Sequence, residues 1–229
     1  MKEKINYSAA VLIILGFMVS FARAMAPVAD PDPHRFDDTI QAFMEWDQKN
    51  ALPEHPVLFV GSSSIRMWLT HECFPGLPVI NRGFGGSHIS DVLFFLNDVT
   101  LKYKPAVVVF YAGDNDVNSG KSPEQVVADY KKFVSRVHSE LPQTQIIYIP
   151  IKPSISRWEK WPVMKTVNDS IRLFSNEQPY LFYADTATPM LGTDGKPLPG
   201  WFLKDNLHLN LKGYELWTGI LKPVLESVR

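Results

Sequence analysis

The chain has one cysteine, Cys73, among 229 residues, so no internal disulfide can brace it and the fold must be held by its core. Cys73 also lies far from the N-terminal region, which argues against a lipid-modified N-terminal cysteine. Basic residues never gather into a long block: 23 Lys and Arg stand against 24 Asp and Glu, a formal charge of −1. Nucleic acid is therefore a poor partner, because neutralising its phosphates takes clustered cations. Metal-ligand spacing is missing too, apart from Asp205-x-x-His208, and that pair suits proton transfer better, so no metal is expected. Internal repeats and low-complexity tracts are absent. The apolar run Ala9 to Ala22 falls short of the ~20 residues that a membrane-spanning helix needs, so no stable membrane span is expected.

That run does have the surroundings of an export signal. Lys2 and Lys4 precede it, and Ala22-Arg23-Ala24 supplies the small-x-small pattern read by signal peptidase. Residues 1–24 are accordingly expected to be a cleaved signal peptide rather than an anchor, and the protein to be secreted or periplasmic. Cleavage after Ala24 removes Lys2, Lys4 and Arg23 from the basic residues and Glu3 from the acidic ones, leaving 205 residues with a balance of −3. Residues 25–34 contain "APVADPDP", whose three prolines cannot join ladders and read as an extended tether. Residues 35–229 are long enough for one α/β domain with a well-buried interior.

Within that domain, short apolar runs suited to strands occur at Val57–Val60, Val79–Ile80, Ala106–Tyr111, Ile146–Ile151 and Tyr180–Ala184. They are rich in Val, Ile, Phe and Tyr and alternate little with polar residues, as parallel strands covered on both faces do. Helical spacing separates them. The clearest helix starts at Ser122-Pro123-Glu124-Gln125, where Ser122 can cap and Gln125 can reach back, and its apolar positions run to Leu141. Further helices are predicted over Met44–Gln48, Ile89–Val99, Val163–Asn176 and Leu211–Val228, the last interrupted near Pro223. The β-α alternation predicts one parallel sheet with right-handed crossovers and helices on both faces.

In such sheets chemistry gathers beyond the carboxyl ends of the strands. Three loops there carry unusual residues: Gly61-Ser62-Ser63-Ser64, then "NRGFGGSH" from Asn81 to His88, then "AGDND" from Ala112 to Asp116. A fourth block, "DNLHLN", precedes the last helix. A serine hydroxyl needs a neighbouring base, and the base needs an orienting group; His208 and Asp205 fit those roles. Acyl transfer also needs donors where the carbonyl oxygen turns negative, and the Gly86 N–H and Asn115 amide are natural choices beside the serine's own N–H. On their own, the three serines make an ordinary strand-to-helix connection in which Ser63 or Ser64 could simply cap, and Asp114 and Asp116 read as braces of the third loop. His88 reads as a helix start. Trp158, Trp161, Trp201 and Phe202 usually just pack, and could wall an acyl site if two of them flank the crevice.

Taken in order, G-x-S-x, N-x-G-x-x-G, G-x-N-D and D-x-x-H make the chain resemble the SGNH, or GDSL-like, hydrolase family from Val57 to Leu225. "LFVGSSS", "NRGFGG" and "DNLHLNLKGY" bring it nearest to the platelet-activating-factor acetylhydrolase-like esterases. The resemblance implies a three-layer α/β/α, flavodoxin-like sandwich on a five-stranded parallel sheet of order 2-1-3-4-5. It places the nucleophile on Ser63, the base on His208, the orienting acid on Asp205, and the oxyanion hole on Ser63, Gly86 and Asn115. It implies no cofactor, and as substrate a carboxylic ester of short acyl, lipid or acetylated-sugar type. Ser62 stands where the name-giving motif has Asp; that Asp is not the triad acid, so the change bears on loop geometry and substrate preference more than on hydrolysis. Two other readings compete: a catalytically silent relative that binds glycans or lipids, and a flavodoxin-like module holding a phosphate or flavin at the first loop.

Overall fold

The structure, a computed structural model, describes residues 26–228, so the expected signal segment lies outside the described residues. Five strands, β1 (Val57–Gly61), β2 (Val79–Gly83), β3 (Val107–Tyr111), β4 (Gln145–Tyr148) and β5 (Leu181–Tyr183), form one parallel sheet of order β2-β1-β3-β4-β5. β1 and β3 are buried at every residue, which explains their unbroken apolar composition. Successive side chains point to opposite faces and so feed two cores. Leu58, Val60, Val108, Phe110, Ile146 and Tyr148 belong to one, and Val57, Phe59, Val107, Val109, Tyr111 and Ile147 to the other.

Helices α1 (Asp37–Lys49), α4 (Ile89–Phe94), α7 (Pro123–Glu140) and α8 (Trp161–Asn176) supply apolar residues to the first core. The second is closed by Trp68, by Phe74, which follows helix α3 (Thr70–Cys73), and by α9 (Leu211–Ser227). Short helices α2 (Ser63–Arg66), α5 (Leu96–Val99) and α6 (Asp114–Asn118) complete the set. The layers are those of an α/β/α sandwich. Among the described residues no helix is long and apolar enough to cross a membrane.

Several boundaries differ from the sequence expectation, each for a local reason. α1 starts seven residues before Met44, because its first turn is carried by Asp37 and Asp38 at the positive helix end and only Ile40 is buried. The segment Ile89–Val99 is two helices that meet at Phe95, whose backbone (φ −93°, ψ 21°) is non-helical while its ring packs into the core. β2 runs on through Asn81-Arg82-Gly83, residues too polar to read as strand. Arg82 is buried there by an ion pair with Asp47, a 2.6 Å bond from Nε to the Tyr103 hydroxyl, and the Phe43 and Trp46 rings. β4 ends at Tyr148, although Ile149 N still donates to Phe110 O at 2.9 Å. α9 passes through Pro223 without ending, held on both sides by buried Trp217, Leu221 and Leu225.

The α7 cap is as its residues dictate: Gln125 N donates to Ser122 Oγ at 3.3 Å and Ser122 N to Gln125 Oε1 at 3.2 Å. Gln125 also bonds both backbone polar groups of Val28, while Asp30 pairs with Lys121 at 2.6 Å, so the proline-rich segment lies against this helix start. Ser122→Ala should cost about 1 kcal/mol in urea unfolding, the usual value of a serine cap.

Candidate active site

The site forms where β1 and β3 end. Gly61 has φ +139°, and a Cβ there would sit 1.8 Å from the Tyr111 carbonyl oxygen, so only glycine lets β1 pass this close to β3. The next residue fixes the turn, Ser62 N donating to Tyr111 O at 2.9 Å. α2 then starts at Ser63 with no side-chain cap. The three serines thereby part ways: Ser62 and Ser64 are buried, and Ser63 alone is turned partly outward. Asn81 ties this helix to β2, donating to Ile65 O at 2.7 Å and Trp68 O at 3.1 Å and accepting from Gly83 N at 2.9 Å.

Ser63 Oγ lies 3.1 Å from His208 Nε2, and His208 Nδ1 lies 2.6 Å from Asp205 Oδ2. A carboxylate beside Nδ1 keeps the proton there, which leaves Nε2 free to accept from the serine hydroxyl. Asp205 is itself held, its Oδ1 accepting from Leu207 N at 2.9 Å and His208 N at 3.0 Å. The bond with His208, with help from those two backbone N–H groups, lowers the Asp205 carboxyl to about 2. The turn is fastened at its ends. Leu203 N donates to His208 O at 2.8 Å, and Asn210 caps α9 through Gly213 N at 3.1 Å while its amide bonds Gly200 O and Phe202 O.

Gly86 and Asn115 line the same cavity of about 500 Å³ as Ser63 and His208. Gly86 has φ +85°, a turn conformation that side chains disfavour. Asn115, in the first turn of α6, donates to Ser87 O at 3.0 Å, so it bridges the second and third loops and retains a second amide hydrogen. His88 starts α4, its N–H donating to Asp91 Oδ2 at 2.7 Å, and Asp116 braces the same helix by accepting from Ile89 N. The predicted site residues thus converge.

The basic residues around the cavity have no counterpart in the sequence expectation. Asp114, buried, accepts from Lys152 Nζ at 2.8 Å and from Arg157 Nη1 at 2.6 Å, and Arg157 also donates to Asn115 Oδ1 at 3.1 Å. Burial alone would raise the Asp114 carboxyl, and the two cations bring it below the ordinary carboxylate range. Lys152 follows the fourth strand, where a search of strand ends could have found it; Arg157 offers no signal of spacing. Arg66 also lines the cavity, one helical turn after Ser63. Leu207 is the one aliphatic side chain of the lining, and none of Trp158, Trp161, Trp201 and Phe202 belongs to it. Trp158 and Trp161 stack on each other at 6.0 Å instead, and Phe202 is in the second core. An aromatic acyl wall is therefore absent among the described residues.

Comparison with known proteins agrees with this fold. A model of the GDSL-like Lipase/Acylhydrolase family matches residues 62–216. No curated protein matches the chain. Among solved structures it is similar to one from Streptococcus pneumonia named for platelet activating factor, with 18% identity over 83% of this chain and 93% of that one and a TM-score of 0.74. A GDSL-like lipase from Bacteroides thetaiotaomicron shares 20% identity over 86% of this chain and 98% of that one, with a TM-score of 0.70. A mutant acetyl-xylooligosaccharide esterase from Geobacillus Stearmophilus shares 14% over 77% of this chain and 95% of that one, with a TM-score of 0.61. At such identities the likeness is one of fold.

Proposed function

The protein belongs to the GDSL-like lipase/acylhydrolase family and is an ester-hydrolysing enzyme, and from that premise we propose that it works through a Ser63-His208-Asp205 triad and an acyl-enzyme. The observation that carries this reading is the unbroken line of contacts from Ser63 Oγ to His208 Nε2 at 3.1 Å and from His208 Nδ1 to Asp205 at 2.6 Å. Ser63 Oγ attacks the ester carbonyl carbon as its proton passes to Nε2. The carbonyl oxygen, now an anion, accepts from the N–H groups of Ser63 and Gly86 and the Asn115 amide, each donor contributing about 3 kcal/mol in the transition state. Collapse breaks the bond to the alcohol oxygen, which takes the proton from His208. Water then adds to the acyl-serine, giving its proton to the same nitrogen, and the acid leaves with Ser63 restored.

A cavity lined by polar and charged groups, with one aliphatic side chain, suits a short acyl group on a polar alcohol better than a long lipid chain. An acetylated sugar is the substrate type we favour. The proposal also includes export by way of residues 1–24. Reaction with a 4-nitrophenyl phosphonate followed by peptide mass mapping tests the mechanism, since only an activated serine is labelled. The expected adduct is on Ser63. An adduct on Ser62 or Ser64 would reassign the nucleophile, and no adduct at all would favour a silent binding protein.

A further inference from the structure

The cavity has more positive charge than its chemistry uses. Arg66, Lys152 and Arg157 line it together with Asp114, so that even counting Asp205 behind His208, three cations meet two carboxylates in a chain whose formal charge is −1. Two of the cations are committed. Lys152 is bound by Asp114 at 2.8 Å and the Tyr111 hydroxyl at 3.0 Å, and Arg157 by Asp114 and Asn115. Arg66 is different: it is exposed, and among the described residues its guanidinium has neither a hydrogen-bond nor an ion-pair partner. Its position is nonetheless defined. A Cβ at Gly85 would come within 2.8 Å of Arg66 Nε and 3.1 Å of Nη2, so the guanidinium lies against a glycine where any side chain would crowd it. That glycine adjoins Gly86, and Arg66 itself is three residues beyond Ser63.

We propose that Arg66 selects the substrate: the esters this enzyme prefers carry an anionic group, a carboxylate or phosphate, that pairs with this guanidinium. The inference rests on the ester-hydrolase reading above and narrows the favoured acetylated sugar to one that also carries an acidic group. A guanidinium presents a planar fork of N–H donors that matches both anions.

Two substrate pairs separate the sources of charge. On the acyl side, mono-4-nitrophenyl glutarate is compared with 4-nitrophenyl acetate; on the alcohol side, acetylglycerol 3-phosphate with glycerol monoacetate. The readout is the ratio of kcat/KM for the charged ester to that for the neutral one. In Arg66→Gln this ratio should fall by about tenfold in at least one pair, the usual worth of a hydrogen bond to a charged group. Arg66→Lys should retain much of the preference, and Gly85→Ala should lower the ratio with the charge intact, by displacing the guanidinium. A fall of less than about threefold in both pairs overturns the proposal, because the charged esters would then not be selected through this guanidinium. Calorimetric titration of glutarate and of glycerol 3-phosphate into the Ser63→Ala protein, with and without Arg66→Gln, reads the same site without turnover. Binding lost with Arg66 supports an anion site even if no ester is cleaved, whereas binding that ignores Arg66, or is absent, counts against it.

Discussion

Ser63→Ala should lower kcat on 4-nitrophenyl acetate by at least about 10³-fold, the scale on which loss of a triad serine is felt. The fold should survive it, since the residue is half-buried, its Oγ is bonded only to His208, and alanine fits a first helical turn. The sharper form of the test uses non-additivity. If Ser63 and His208 act as one unit, the double variant Ser63→Ala/His208→Ala should be no slower than either single one, within about threefold. Independent roles would multiply instead. Ser62→Ala and Ser64→Ala serve as references. Both are buried, and among the described residues neither hydroxyl bonds His208, so their removal should leave ester cleavage standing. Steady-state kinetics on these five variants and the natural protein decides the matter, and full activity in Ser63→Ala would refute the triad.

Asp114→Asn should reduce stability by about 3–5 kcal/mol in urea unfolding at neutral pH, the cost of leaving a buried charge without its counterion. Lys152 is 2% exposed at its side chain and Asp114 4%, so water cannot take the place of the missing carboxylate. The same substitution frees Arg157, which holds the Asn115 amide, so activity should fall further than stability alone explains. Acid should act like the mutation. The carboxyl titrates below its ordinary value of 3.8, so its contribution is complete above that value and is lost as pH falls through the lowered one. Unfolding free energy measured against pH should therefore decline more steeply below about pH 4 in the natural protein than in Asp114→Asn. A variant within about 1 kcal/mol of the natural protein would show that the charges are compensated elsewhere.

How far the sequence predicts the molecule depends on whether a feature is local. Strands β1 and β3 are legible because burial on both faces demands continuous apolar residues, and α7 because its cap and its face are written in one segment. Ser63, Gly86, Asn115 and the Asp205-His208 turn are legible because each sits in a short block whose backbone geometry needs particular residues. Choosing Ser63 among three serines, however, took the resemblance to a family; in three dimensions the choice rests on which hydroxyl faces out of the helix start. The basic residues are a different case. A lone Lys152 or Arg157 has no periodicity, and Asp114, the carboxylate that defines them, is 38 and 43 positions away. β2 reads too short in the sequence for a similar reason, since Arg82 counts as polar until Asp47 and the rings of Phe43 and Trp46 surround it.

The pairing of the strands has a kinetic consequence. β1 is bonded on one side to β2 and on the other to β3, which begins 50 positions further along the chain, and the turn before Ser63 is not pinned until Tyr111 arrives. His208 arrives later still, 145 positions from its partner. Contacts of such high order are slow to form, because loop entropy is lost before any bond repays it. Recovery of ester cleavage is therefore expected to lag behind recovery of the sheet during refolding, which activity and far-UV dichroism followed side by side would show.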